Sequence, residues 1–432
     1  MIYLDRKKAP PVIQVDKIDF PMVESQKLEN GIPVFYMNAG TQDIIKLDIL
    51  IEAGQWFSDN MLIPVYCNRM LMEGSKKYSH AEIAEKLDYY GTFTNLECGK
   101  HYAHIQLFTL TAFFDQSVEI FEDFLKNPSF PQDKLKVLLQ NDIQQFIVDH
   151  EKTEVLAADE FIPRVFGHHH PYGRIRKLED FEKINLDQIK SFHQRFYNAS
   201  NCIIMVSGKL NKEVKNILQS HFGQADWRGL HIKPGRNQFQ DSKPGRYTVH
   251  KDGAMQASLM IGKRTINKLH EDYYGLSVLN TILGGYFGSR LMTNLREKSA
   301  LTYGIYSSLM SMLHAGTFSI SANVNGKESD KAVKQIYKEI GELREKKIPE
   351  EELQMVKNYL LGEMLRTFDG PLGLSEIYLD LLAYNLDFDY YQQHFKALKA
   401  ISPAKLRDLA NIYFEKNSFI EVIAGNMNNK KS

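Results

Sequence analysis

Apolar positions fall into two successions along the chain, with the same elements in the same order each time. In the first, LDILIEAG has the short apolar run of a strand, MLIPVYCNRMLMEG the spacing of a helix, and HYAHIQLFTLT the pattern of another strand. DQSVEIFEDFLKNPSFPQDKLKVLLQNDIQQF then predicts helix, Pro-containing turn and helix. In the second, ASLMIGK is strand, YYGLSVLNTILGG is helix and GTFSISANV is strand. Helix, turn and helix follow in DKAVKQIYKEIGELREKKIPEEELQMVKNYLLGEML. Each succession closes with an amphipathic helix and an apolar strand ending in glycine, SFHQRFYNASNCIIMVSG and RDLANIYFEKNSFIEVIAG.

The offset between the two is steady. Pro131 and Pro349 lie 218 residues apart, as do Phe196 and Phe414, while Gly208 and Gly425 lie 217 apart. A constant offset predicts one unit used twice. The expected fold is α+β: two homologous halves, each a mostly antiparallel sheet with helices packed on one face, closing as a clamshell. WRGLHIKPGRNQFQDSKPGR, residues 227–246, carries two Pro-Gly steps and few apolar residues and reads as the linker. The units are then 1–226 and 247–432. A chain of 432 residues would by length alone allow two to four domains at about 100–200 residues each.

Composition removes several function classes. Lys+Arg and Asp+Glu both number 53, so the net charge is zero, which argues against a nucleic-acid binder. No apolar run reaches the roughly 18 residues that span a bilayer. The N-terminal residues have no apolar stretch of the secretory kind, so the expected location is cytoplasmic. Cys67, Cys98 and Cys202 are odd in number and lack a CxxC pair, as expected of buried thiols rather than a disulfide or zinc-thiolate framework.

Four stretches carry a resemblance: IEAGQWFSDNMLIPVYCNRMLMEGSKKYSHAEIAEKLDYYGTFTN, FLKNPSFPQDKL, FGHHHPYGR and GGYFGSRLMTNLREKSALTYGIYSS. With the duplicated α+β halves they resemble the insulinase-like (pitrilysin-type) zinc peptidases, a family that includes the mitochondrial processing peptidase subunits and the core proteins of the respiratory bc1 complex. Active members carry His-x-x-Glu-His on the helix after the first strand. Its two His, at i and i+4, hold Zn²⁺, and its Glu acts as general base on the metal-bound water.

The matching segment here is Val65-Tyr66-Cys67-Asn68-Arg69. Val65 has no donor atom, Asn68 cannot take a proton from water, and Arg69 brings a fixed positive charge that would repel Zn²⁺. The third ligand of the family, a Glu about 75 residues further on, has no counterpart in KVLLQNDIQQF, which offers only Asp142. The resemblance therefore implies a chain without its own metal or cofactor. LREKSALTYG retains the family's Arg and Tyr, seven residues apart, as Arg296 and Tyr303. Such a pair binds substrate and supports the oxyanion beside the zinc of a partner. The resemblance is to the non-catalytic subunit of two-component bacterial enzymes, paired with a zinc-bearing subunit of the same family and holding peptide or unfolded protein. The alternatives are an assembly protein like the bc1 core proteins, and a peptidase with an atypical metal site at Asp142 or His168–His170.

Other constellations are weaker. His168, His169 and His170 are adjacent and fan apart in a loop, with no acidic residue close in sequence. His101 and His104, at i and i+3 on a strand, are expected on opposite faces. His80 follows Ser79 at a helix start. Gly284, Gly285 and Gly288 fit either the family's flexible substrate-side loop or a helix end followed by a turn. No GxSxG nucleophile elbow and no phosphate-binding loop is present.

Overall fold

The computed structural model describes residues 18–426 except 233, 234, 236 and 369. The first half contains strands β1 (Glu24–Lys27), β2 (Pro33–Asn38), β3 (Ile44–Ile51), β4 (Phe93–Cys98), β5 (Ala103–Leu110) and β6 (Cys202–Gly208). The second contains β7 (Gly245–His250), β8 (Gln256–Thr265), β9 (Thr302–Met312), β10 (Ala315–Asn325) and β11 (Ile420–Gly425). The first sheet has the order β1-β2-β6-β3-β5-β4, and the second β7-β11-β8-β10-β9. Without β1 the two are the same sheet. Each has a single parallel pair, β2 with β6 and β7 with β11, and is otherwise antiparallel. The α+β class and the two similar halves anticipated from the repeat are those of the structure. The described residues from 228 to 244 form neither helix nor strand.

Strand alternation distributes the cores. Along β3, Ile45, Leu47, Ile49 and Ile51 face the core formed with the helices Leu62–Arg69, Phe114–Lys126 and Leu186–Phe196. The corresponding face of the second sheet, with Leu259, Ile261 and Ile320, packs on the helices Tyr273–Asn280, Ser329–Glu345 and Pro403–Tyr413.

The opposite faces are covered as well, by an exchange that the sequence pattern did not reveal. The helix Thr153–Phe166, from the first half, lays Phe161, Val165 and Phe166 beside Ile420, Val422 and Ala424 of the second sheet. The helix Pro371–Ala383, from the second half, lays Leu374, Ile377 and Leu381 beside Met37, Leu50 and Met205 of the first sheet. Each of the Val, Leu, Ile, Met and Phe side chains among these contributes about 1.5–3 kcal/mol on burial. Gly262 is part of the fit, since a Cβ there would lie 2.8 Å from the Phe161 ring and closer still to the Phe318 carbonyl oxygen. Among the described residues no helix is long and apolar enough to cross a membrane.

Candidate functional site

The helix Leu62–Arg69 is anchored at both ends of its approach. Asn60 Oδ1 accepts from the Leu62 amide at 2.9 Å, and Pro64 sits in the first turn, where backbone amides lack intrahelical partners anyway. Arg174, from FGHHHPYGR, donates to the carbonyls of Gln55 at 2.9 Å, Ser58 at 2.6 Å and Asp59 at 2.9 Å, fastening the loop that feeds the helix. Leu62, Tyr66 and Cys67 are buried in the first core, which leaves Val65 and Arg69, one helical turn apart, on the less buried face.

On that face Arg69, at the second zinc-ligand position of active members, is held in an ion pair. The Arg69 guanidinium binds the Asp142 carboxylate on the helix Gln132–Asp149. The Tyr66 hydroxyl donates to the same oxygen, Oδ2, at 2.7 Å. Burial, reinforced by this bond to Asp142, pushes the Tyr66 hydroxyl far above the ordinary phenol range. Arg69 also lies 5.5 Å from the centre of the Tyr66 ring. Asn68 points inward: it is fully buried and its Oδ1 accepts from the Tyr197 hydroxyl at 3.2 Å. Val65 adds no donor. Among the described residues no group of three or more His, Cys, Asp or Glu side chains is arranged to hold a metal ion.

The second-half residues are placed differently. Arg296 lies on the helical segment Met292–Lys298, its guanidinium 4.9 Å from the centre of the exposed Phe287 ring. Tyr303, near the start of edge strand β9, is 89 % exposed and has no hydrogen-bond partner among the described residues. The glycines divide. Gly284 is buried, and a Cβ there would lie 2.6 Å from the Ser307 amide nitrogen, so it is a close-approach position against β9 rather than part of a flexible loop. A Cβ on Gly285 would meet Asn280 Nδ2 at 3.1 Å, and one on Gly288 would meet the Tyr286 side chain first, its ring at 2.8 Å.

The histidines separate too. His168 and His169 are exposed, whereas His170 is buried. His170 stacks on Phe239 at 4.1 Å and lies edge-on to Trp56 at 5.3 Å. Trp56 also meets His101 and the second-half His314, each at 4.8 Å between ring centres. Tyr172 ties the group together: its hydroxyl bonds His101 Nε2 at 2.6 Å and accepts from the His314 amide at 3.2 Å. Burial first, then His314, Lys100 and His170, lowers His101 to about 3. Burial first, then Arg264, His314 and Arg174, lowers His170 to about 4. The expectation that His101 and His104 face opposite ways is corrected. His101 precedes β5, so strand alternation does not apply to it, and both residues line one cavity. Ser79 caps the helix His80–Tyr89 in a capping box with Glu82, and His80 Nδ1 bonds the Met72 carbonyl at 3.0 Å.

Two sequence models match the chain: the insulinase family (peptidase family M16) over residues 36–171, and the peptidase M16 inactive domain over residues 183–360. An uncharacterized zinc protease of Mycobacterium leprae is 27 % identical over 328 residues, covering 72 % of each chain. The non-peptidase homolog YmxG of Helicobacter pylori is 22 % identical over 379 residues, covering 84 % of each. Among solved structures, the peptidase M16 inactive domain from Pseudomonas fluorescens superimposes with a TM-score of 0.86 at 24 % identity, over 94 % of this chain and 98 % of that one. The first matched segment lies within the first half, and the second begins in the last helices and strand of that half and runs on into the second. The motif helix within the first segment carries Val65, Asn68 and Arg69 where a metal site needs two His and a Glu. The chain belongs to the insulinase-like M16 peptidase family, as a member that lacks the catalytic zinc motif.

Proposed function

We propose that the chain is the non-catalytic subunit of a heteromeric zinc metallopeptidase, binding peptide or unfolded protein and presenting Arg296 and Tyr303 to the zinc site of a partner subunit of the same family. The observation that carries this reading is the contrast between the two candidate regions. The second zinc-ligand position is occupied by Arg69, bonded to Asp142, while Tyr303 stands 89 % exposed with no hydrogen-bond partner among the described residues. A phenol so placed is available to donate to an oxyanion on another chain, and a guanidinium held against an exposed ring is available for a carbonyl or carboxylate. Relatives that include an inactive domain and a non-peptidase homolog support the reading of a scaffold kept without its own chemistry.

The test is reconstitution with a family member that retains His-x-x-Glu-His. Mixing is expected to raise peptide hydrolysis, and Arg296→Ala or Tyr303→Phe to lower it at least tenfold while the complex still forms on size exclusion. Hydrolysis unchanged by mixing, or unaffected by either substitution, rejects the proposal.

A further inference from the structure

The face of the first sheet turned away from the degenerate motif holds a charged network that the peptidase reading does not use. Lys46 and Asp48 alternate with Ile45, Leu47 and Ile49 on β3, so they lie on the face toward the exchanged helix Pro371–Ala383, and both are fully buried. Lys46 Nζ donates to Glu376 Oε1 at 2.8 Å and is ion-paired with Asp48 Oδ1 at 3.2 Å. Asp48 Oδ1 also accepts from His104 Nε2 at 2.8 Å and Gln106 Nε2 at 2.9 Å, whereas Asp48 Oδ2 is buried with no partner among the described residues. A buried ion pair is weak evidence of stabilisation, so one kept inside a sheet calls for another role.

A cavity of about 490 Å³ opens over this network, between β4, β5, the β9–β10 turn and the exchanged helix. Leu50, Leu379 and Tyr384 form an apolar wall, and Glu97, His104 and Glu376 a polar one. The donors of the polar wall are spent internally. Asn95 Nδ2 goes to Glu97 at 3.0 Å and to Gln106 Oε1 at 2.9 Å, Gln106 Nε2 to Asp48 and Glu376, and Lys46 to Glu376, with Asp48 as its second ion-pair partner. Acceptor capacity remains for an occupant on Glu97 and Glu376. Lys100, which also lines the cavity, is lowered to about 8 by burial first and then by Arg174, and so keeps its charge at neutral pH as a cation beside this wall. An acceptor wall facing an apolar wall complements a group with many donors on an aliphatic stem, and a guanidinium, with five N–H donors and no acceptor, is that group. The volume suits such a ligand.

We propose that this inter-half cavity binds a guanidinium-bearing ligand, the guanidinium on Glu97 and Glu376 and its stem along Leu50, Leu379 and Tyr384. Its source is either an arginine side chain of a peptide or a free arginine-like amine. The site is independent of any pairing with a zinc-bearing subunit, because binding is read on the chain alone.

The experiment is calorimetric titration of the intact chain with agmatine and with an acetylated, amidated tripeptide carrying a central arginine. The citrulline version of the tripeptide keeps the shape and removes the charge. Binding of agmatine alone identifies a free amine as the source, and tighter binding of the tripeptide identifies a peptide. In either case citrulline should weaken tripeptide binding at least tenfold, Glu97→Gln should weaken binding about tenfold, and Ala383→Trp, which fills the cavity without altering its charges, should abolish it. Glu376→Gln adds to these only if its melting curve matches the parent, because Lys46 loses a partner there. No heat from either probe at millimolar concentration overturns the proposal. Equal binding of citrulline and arginine peptides, or binding undiminished in Ala383→Trp, does so as well.

Discussion

Arg69 and Asp142 are bonded to each other, one at the family's second zinc-ligand position and the other on the helix expected to supply the third. The positive charge that a metal would bring to this face is carried by the chain itself. The pair is partly solvated, with side chains 37 % and 28 % exposed, so it is worth about 1 kcal/mol or less. Arg69→Ala should lower unfolding stability by about 1 kcal/mol, and a double-mutant cycle with Asp142→Asn should give a coupling of about 0.5–1 kcal/mol that shrinks in molar salt. Denaturant titrations decide it, and a coupling of zero would mean that the pair closes the site without stabilising it.

The joint between the halves should be acid-sensitive. His101 and His170 sit among Lys100, Arg174, Arg264 and His314, all basic groups. Their pKa values fall from 6.5 to about 3 and about 4. Between 6.5 and those values the unfolded chain binds protons that the folded chain does not, so stability rises with pH in that window. The contribution is complete above about pH 6.5 and is lost as the pH falls toward 4, by up to about 1.4 kcal/mol per pH unit for each proton. Melting temperatures across pH 4–7 should show this slope, and His101→Gln should flatten it. A slope unchanged by that substitution would assign the acid sensitivity to other groups, such as His193 and His394, both lowered to about 4 by burial.

Gly284 separates a packing role from a flexible one. A methyl group there would stand 2.6 Å from the Ser307 amide nitrogen, forcing β9 away from the helix end. Gly284→Ala should cost about 1–3 kcal/mol. Gly288→Ala, where the nearest atoms belong to the Tyr286 side chain and can give way, should cost less than half of that. Equal costs in thermal unfolding would contradict the close-approach reading.

What the sequence made legible was local and periodic. The 217–218 offset identified the duplicated sheet, and the residue types at Val65, Asn68 and Arg69 identified a family member without the zinc motif. What it hid was set by the exchange of helices. Lys46 and Asp48 alternate with aliphatic residues, a pattern that ordinarily marks a solvent face, yet both are buried because Pro371–Ala383 arrives from the other half. The partnership of Arg69 with Asp142 was hidden for a related reason. It spans 73 residues and depends on how two helices lie side by side, which periodicity does not report.

That exchange has its own consequence. A protease site inserted after Gly235, where a Cβ would meet no atom within 4 Å, should be cleavable in the folded chain. Were the linker all that joined two self-sufficient halves, the fragments would part after cleavage. With Thr153–Phe166 seated on the second sheet and Pro371–Ala383 on the first, they should instead co-elute on size exclusion, since parting would expose both apolar faces. Leu381, fully buried in that contact, gives the graded version: Leu381→Ala should cost about 2–5 kcal/mol and lower the denaturant concentration at which the cleaved fragments separate. Phe161→Ala should act in the same way from the other side, by about 3–5 kcal/mol. Fragments that elute apart in plain buffer would show that each half stands without the helix lent by the other.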